Sequence, residues 1–328
     1  MKPLSNEFGT INSDLSVTTP SGKHISKDDM QNFADELRGS NRIHKPFLLL
    51  MWTDCKNGQR NNWEGLTMKR NNTIKIGDRG HKFALINSNA KLDKANKALS
   101  RVVTAGLTLA PHRVGLLKTD TIDTLCEASG FCRSFCVLQF AGRSAMSSVQ
   151  VAQIRRTRLL IENPEEFYRV LREDLDRLFY YSDRDGYRAF VRLNTASDLD
   201  FSRVAREYPD RLFYDYTKVT SRVLATSAWP GNYALTYSFN ERSRWRTCVS
   251  LLNRGVNVSM CFATRYVPSA RISDPLPDTY RGFKVVDGDT HDIRHPEFDG
   301  RGVIVGLRFK GSLARKFAAI KSGFCVEG

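Results

Sequence analysis

Beyond residue 187 the chain alternates short apolar runs with polar stretches of helix length. The runs at 187–193, 211–216, 233–239, 256–262, 282–286 and 302–309 have the length and the β-branched or aromatic content of strands. Between the first two, residues 197–207 carry Leu199 or Phe201, Val204 and Ala205 as the apolar contacts of a helix. Upstream, a helix is predicted over 91–106, where Leu92, Ala95, Leu99, Val102 and Val103 fall near one face, and two more over 147–161 and 164–180. The last has a clear start: Asn163 as N-cap, Pro164 in the first turn, and Glu165 and Glu166 at the positive end of the dipole. Further strand candidates lie at 46–52, around Phe83 and at 113–118, and a short helix candidate at 27–37 is entered through Ser26.

Strands separated by helix-length crossovers point to a parallel sheet covered by helices. The expected fold class is α/β, a complete or imperfect β/α (TIM-like) barrel with a cysteine-rich loop, and an open doubly wound sheet is the second choice. Periodicity does not separate them, because both bury the same kinds of strand. Residues 1–43, rich in Ser, Thr, Asn, Asp and Gly, read as a flexible or loosely packed N-terminal arm, and 44–328 as the barrel-like domain. Within it, 54–72 is dense in Asn, Gly, Lys and Arg and reads as a basic surface loop.

Charge changes the picture more than length does. The 328 residues carry 50 Lys and Arg against 35 Asp and Glu, a net +15, which attracts nucleic acid, nucleotides and other polyanions. An apolar fraction of 41% suits a globular chain, and no apolar run is long enough to span a bilayer, so membrane insertion is not expected. With no apolar segment near the start, the cytoplasm is the expected location.

In either architecture function gathers at the carboxyl ends of the strands. Those ends are polar here. They offer Arg192 and Asn194, then Asp215, Tyr216, Thr217 and Lys218, then Thr236, Ser238 and Glu241, then Cys261 and Arg265, then Asp287, Asp289, His291 and Asp292, and finally Lys310. Asp215, Lys218, Glu241, Asp287 and Asp289 are the candidate catalytic residues. Neighbouring carboxylates can raise one another's pKa for proton transfer or collect a divalent cation, and a lysine can hold phosphate as a point charge. The segment DGDTHD also has the composition of a tight turn.

Three of the seven cysteines form one dense group, Cys126, Cys132 and Cys136, spaced C-x5-C-x3-C in the stretch CEASGFCRSFC. Thiolates suit an iron–sulfur cluster or zinc, and three on one irregular loop can hold three corners of a [4Fe-4S] cluster. Cys261, at a strand end, and Cys325, in the tail, are the candidates for a fourth ligand. Zinc is the alternative metal, although the paired CxxC elements common in closed zinc sites are missing. Small apolar cysteines on one helical face are a third possibility. A barrel with three clustered cysteines invites comparison with radical S-adenosylmethionine enzymes, but their C-x3-C-x2-C spacing differs from this one at both intervals.

The ordered motifs CRSFCVLQFAGRS, VAQIRRTRLLIENPEEF, VRLNTASDLDF, FYDYTKV, YALTYSFNE, VVDGDTHDIR and VGLRFKG together resemble the gene product eighty-eight family, a largely uncharacterised phage and plasmid family, from about residue 80 to the C-terminus. The resemblance implies a mobile-element origin and a shared fold more than any reaction, with the host cell's cytoplasm as the location for a phage gene and virion association open. Cys126, Cys132 and Cys136 match its cysteine-rich segment, and Asp215, Lys218, Glu241, Asp287, Asp289 and Asp292 fall within its later motifs.

These features lead to an expected iron–sulfur protein of a phage or mobile element that acts on nucleic acid or a nucleotide, with redox or radical chemistry open to it. One alternative is a nonenzymatic nucleic-acid-binding protein with a structural metal, in which Lys56, Arg60, Lys69, Arg70, Arg155, Arg156 and Arg158 carry the binding. Another is a divalent-metal phosphoesterase built on DGDTHD.

Overall fold

The computed structural model describes residues 69–111, 124–136, 146–225, 229–264, 266–267, 272–310 and 313–327, together with four short strands nearer the N-terminus. The chain divides into two compact units, Met1–Gly65 and Leu66–Gly328. In the first, β1 (Leu4–Asn6), β2 (Gly9–Ile11), β3 (Val17–Thr18) and β4 (His24–Ile25) pair antiparallel in chain order. The helix and strand expected at 27–37 and 46–52, and the strand at 113–118, lie outside the described residues.

The second unit opens with a hairpin, β5 (Asn72–Ile76) and β6 (Arg79–Phe83), turned at Gly77 with φ +58°. Phe83 therefore ends a hairpin strand and does not belong to the large sheet. The next residues are fastened by one carboxylate: buried Asp174 accepts from the backbone N–H groups of Ala84, Leu85 and Ile86. That satisfies three donors where the chain turns into β7 (Ile86–Asn87).

The predicted helix at 91–106 is two elements. A short helix α1 (Leu92–Ala98) stops, Arg101 takes a left-handed φ of 49°, and β8 (Val102–Leu107) follows, buried at every position. Val102, Val103 and Thr104 are β-branched residues that fit a doubly covered strand better than a helix. Their apparent helical spacing came from running the two periods together.

After the 3-10 turn Gly130–Phe135 come two helices, α2 (Ser147–Glu162) and α3 (Pro164–Arg184). Asn163 caps α3 as its residue type requires, accepting from the N–H of Glu166 at 3.1 Å. The chain then repeats strand and helix: β9 (Arg188–Arg192), α4 (Ser202–Glu207), β10 (Leu212–Thr217), α5 (Thr220–Leu224), β11 (Tyr233–Ser238), α6 (Trp245–Asn253) and β12 (Val258–Phe262). Strands β8 to β12 are parallel neighbours in chain order. The hairpin β13 (Tyr266–Val267) and β14 (Ile272–Ser273) comes next, then β15 (Thr279–Tyr280), β16 (Phe283–Asp287), α7 (Pro296–Asp299), β17 (Ile304–Arg308), α8 (Leu313–Ser322) and β18 (Cys325–Val326). Here the order turns back: β17 pairs with β12, and β16 lies outside it.

The two faces of this sheet differ. Val103, Ala105, Val191, Phe213, Tyr233, Tyr237, Val258, Met260, Ile304 and Val285 lie in register on one face. Helices α3, α4 and α6 bury Leu171, Leu175, Val204, Ala205, Leu251 and Leu252 in the same clusters. Each buried leucine or valine contributes roughly 1.5–3 kcal/mol, so this face is the main core. The opposite face carries Phe190, Arg192, Tyr214, Tyr216, Thr236, Ser238, Ser259 and Cys261, and polar groups replace the apolar rows as the strands run toward their carboxyl ends. The result is a mixed α/β molecule with a large, mostly parallel sheet.

Candidate functional site

At the carboxyl end the sheet splays. Strand β11 pairs with β12 only at Tyr237↔Val258 and Ser238↔Ser259, and farther along the last strand, β18, takes over through Cys261↔Cys325 and Phe262↔Val326. The cysteine-rich turn packs over this splay. Cys132 joins Cys261, Cys325, Ala263 and Phe309 in one small apolar cluster, and α8 touches both the turn and β18.

Lys218, one residue beyond β10, reaches into the turn. Its amine donates to Ser238 Oγ at 3.1 Å, and its backbone N–H is held by Asp198 Oδ2 at 2.8 Å. Burial works against the charged amine, yet the nearby Cys132, Cys126, Asp198 and Cys136 outweigh it as negative groups and hold the pKa above that of an ordinary lysine. Among the described residues no carboxylate comes within ion-pairing distance of Lys218; Asp198 spends its other oxygen on Arg222 at 2.7 Å. Around this cation the three cysteines are reduced, and Cys132 and Cys136 lie close enough to affect the ionisation of Cys126. Burial pushes the Cys126 thiol up to about 12, and its Sγ donates to the carbonyl of Ala196 at 3.3 Å.

Glu241, on the loop after β11, braces the turn. Its Oε1 accepts from the N–H of Phe131 at 2.7 Å, while Oε2 is buried with no hydrogen-bond partner among the described residues. Gly130, φ +53°, makes this approach possible: a Cβ there would stand 2.1 Å from Glu241 Oε1. An absent side chain and a positive φ are both demanded at this one position.

Asp215 points to the other face and is wholly buried. It accepts from the N–H of Asn194 at 2.8 Å and from the hydroxyl of Tyr233 at 2.5 Å, and burial raises its pKa to about 7 against the pull of Arg192 and these donors. It is a joint between β9, β10 and β11. Asp292 leaves the end of DGDTHD and buries itself on the polar face, where Arg192 donates at 2.8 Å, Lys91 at 2.7 Å and Tyr214 at 3.3 Å. Burial opposes its charge, but Arg192 and Lys91 hold the carboxyl well below the usual range.

The remaining acids of that segment find other partners. Asp287 pairs with Arg308 at 2.8 Å, and Asp289 with Lys310 at 2.6 Å and Arg308. His291 lies against Arg294. The sequence motif thus does not gather its acids at one point, and among the described residues no three His, Cys, Asp or Glu side chains meet at the spacing of a single metal ion. Cys261 faces Cys325, with sulfurs 3.2 Å apart, in the same cluster that Cys132 of the turn joins.

Of the basic positions proposed for binding, Arg156 is buried on Asn72 and the carbonyl of Thr108, Arg70 pairs with Glu173, and Arg158 with Glu162. Lys69 and Arg155 are exposed, whereas Lys56, Arg60 and the strand-end Arg265 lie outside the described residues. Sequence inspection missed Asp198 and Lys91. Asp198 stood in the polar strand end RLNTASD, but nothing local marked it as the support of a lysine twenty residues away.

A family model described as Gene product 88 matches residues 83–328, from the end of β6 through every residue of the site. The chain belongs to the Gene product 88 family. The Gene product 88 region thus includes the cysteine turn, Lys218, Glu241 and the splayed strand ends, and leaves out the N-terminal unit and most of the β5–β6 hairpin. Neither the curated proteins nor the solved structures contain a match to the chain. Among the described residues no helix is long and apolar enough to cross a membrane.

Proposed function

We propose that the splayed carboxyl end of the sheet is an iron–sulfur site serving an anionic ligand, a nucleotide or nucleic acid, in a phage-encoded protein. Cys126, Cys132 and Cys136 would supply the thiolates, and the sheet, with its crossover helices on one face and a polar opposite face, fits an imperfect β/α barrel. The observation that carries this reading is Lys218: a partly buried ammonium among three cysteines, with Ser238 as its side-chain acceptor and, among the described residues, no carboxylate within ion-pairing distance.

With neutral thiols Asp198 is left to favour the Lys218 ammonium, whereas coordination removes the thiol proton and makes each sulfur a further anion. A mononuclear ion draws its ligands into one tetrahedron, while the corners of a cluster hold thiolates farther apart. Three thiolates on one turn match the three protein ligands of such a cluster, and zinc is the alternative metal. When bound, a [4Fe-4S] cluster supplies one-electron transfer, and three protein ligands leave one iron open to a ligand or substrate. The chain's own part is positional. Glu241 fixes the turn, Asp198 fixes the backbone of Lys218, and Lys218 with Ser238 presents donors to an anion; the net charge of +15 concentrates such anions nearby.

Protein purified without oxygen is expected to be brown and to hold about four iron atoms per chain, with matching sulfide. A colourless sample with one zinc and no iron would overturn the cluster. Affinity for single-stranded DNA is expected to fall steeply between low and physiological salt. Binding that ignores salt would remove the polyanion from the reading.

A further inference from the structure

We infer that Cys261 and Cys325 form a reversible dithiol–disulfide pair that fastens the last strand to the centre of the sheet, with a small-molecule disulfide such as glutathione disulfide as oxidant. This holds whether or not the three-cysteine turn carries iron. Buried cysteines often serve only as small apolar residues. These two are placed differently. They are direct register partners on adjacent parallel strands, and their sulfurs already face each other at 3.2 Å. Neighbouring strands lie about 4.8 Å apart, inside the Cα separation of roughly 4.4–6.8 Å that a disulfide spans, so closure asks for side-chain rotation and little backbone movement.

The strand they would lock is one of the shortest in the sheet. β18 has two residues and joins β12 only through this pair and Phe262↔Val326. It occupies the edge that β11 vacates, and α8 bridges it to the cysteine turn. An open cleft of about 720 Å³, lined by Ala263, Thr264, Phe317, Ile320 and Glu327 among others, flanks both strands just beyond the two sulfurs.

Exposure sets the order of events. Cys261 is partly accessible and Cys325 is buried. The Cys261 sulfur, having lost its proton, attacks one sulfur of glutathione disulfide, forming a mixed disulfide and releasing one glutathione thiolate. Cys325, losing its proton in turn, attacks the Cys261 sulfur of that mixed bond, closes the protein disulfide and releases the second thiolate. The two protons lost by the cysteines neutralise the two released thiolates, and the two electrons given up by the dithiol reduce glutathione disulfide to two thiols.

The pair can be read without ambiguity, because trypsin places Cys261 in peptide 255–265 and Cys325 in 322–328, separate from Cys126 and Cys132 in 119–133 and Cys136 in 134–143. The full-length protein is equilibrated in glutathione buffers of increasing oxidation, quenched in acid, alkylated and digested. A crosslink between 255–265 and 322–328, lost on dithiothreitol treatment, is expected, with hydrogen exchange across 313–326 slowed about tenfold in the oxidised form. Cys325→Ser should trap glutathione on Cys261, whereas Cys261→Ser should leave Cys325 unmodified in folded protein. A crosslink from 119–133 to either peptide in place of this one, or free thiols at both positions in the most oxidising buffer with the protein still folded, would overturn the pairing.

Discussion

Two places on the polar face of the sheet are joined by one strand, β10, and they handle charge in opposite ways. At Tyr214 the strand meets the Asp292 hub, where one buried carboxylate takes two cations and a phenol. Four residues on, Lys218 enters the cysteine turn, where a cation has one neutral acceptor and three thiols. A hub that sets a buried carboxylate directly against its cations holds elements together. A cation with no carboxylate at ion-pairing distance among the described residues is suited to an anionic ligand, and this contrast is the reason the proposed site lies at the second place.

The largest expected effect comes from breaking the hub. Asp292→Asn leaves Arg192 and Lys91 without their shared anion and is expected to cost about 3–5 kcal/mol in urea denaturation. A loss no greater than that of a surface substitution would show the hub to be dispensable and undo the contrast. At the other place, Gly130→Ala forces a side chain into Glu241 at a positive φ, and about 1–3 kcal/mol of strain is expected. Its sharper readout is iron content, which should drop with the displaced turn; full iron retention would detach Glu241 from the site. Asn163→Ala removes the cap of α3, far from both places, and should cost about 1 kcal/mol while leaving iron content unchanged. Lys218→Met should change stability least, by under about 1 kcal/mol, because no ion pair is broken, and should weaken anion binding, with Lys218→Arg restoring part of it.

pH separates the two buried aspartates by sign. Asp292 is held down in the folded state, so its contribution is complete above the unfolded carboxyl value of about 3.9 and drains away as pH falls toward its folded value. Asp215 is raised to about 7, so its contribution is complete below about 3.9 and is lost as pH rises through about 7. Urea midpoints measured across this range should lose their acid limb in Asp292→Asn and flatten between about pH 4 and 7 in Asp215→Asn. Identical profiles for the two variants would deny them different environments.

Much of the fold was legible in local pattern. The strands β9 to β12, β16 and β17 fall within one or two residues of the expected apolar runs, because a parallel strand covered on both faces needs a continuous apolar segment whatever its partners. Asn163 could be read because a cap is a contact over three residues. The merged helix at 91–106 shows the limit: β8 looks helical until Arg101 breaks the chain direction and a neighbouring strand claims its backbone.

Within the site, residue type named the chemistry but not the partners. The sequence by itself determined that cysteines cluster at 126–136, that strand ends are polar and that the chain is strongly basic. Only the tertiary structure decided that Lys218 joins those cysteines, that Cys261 faces Cys325, and that Asp292 leaves its own motif for Lys91 and Arg192. These pairings link residues 64 to 201 positions apart, across strands and loops whose order in the sheet is fixed by packing of one whole face. A local pattern fixes which way a side chain can point; which charge it meets depends on the register of strands far away in the chain.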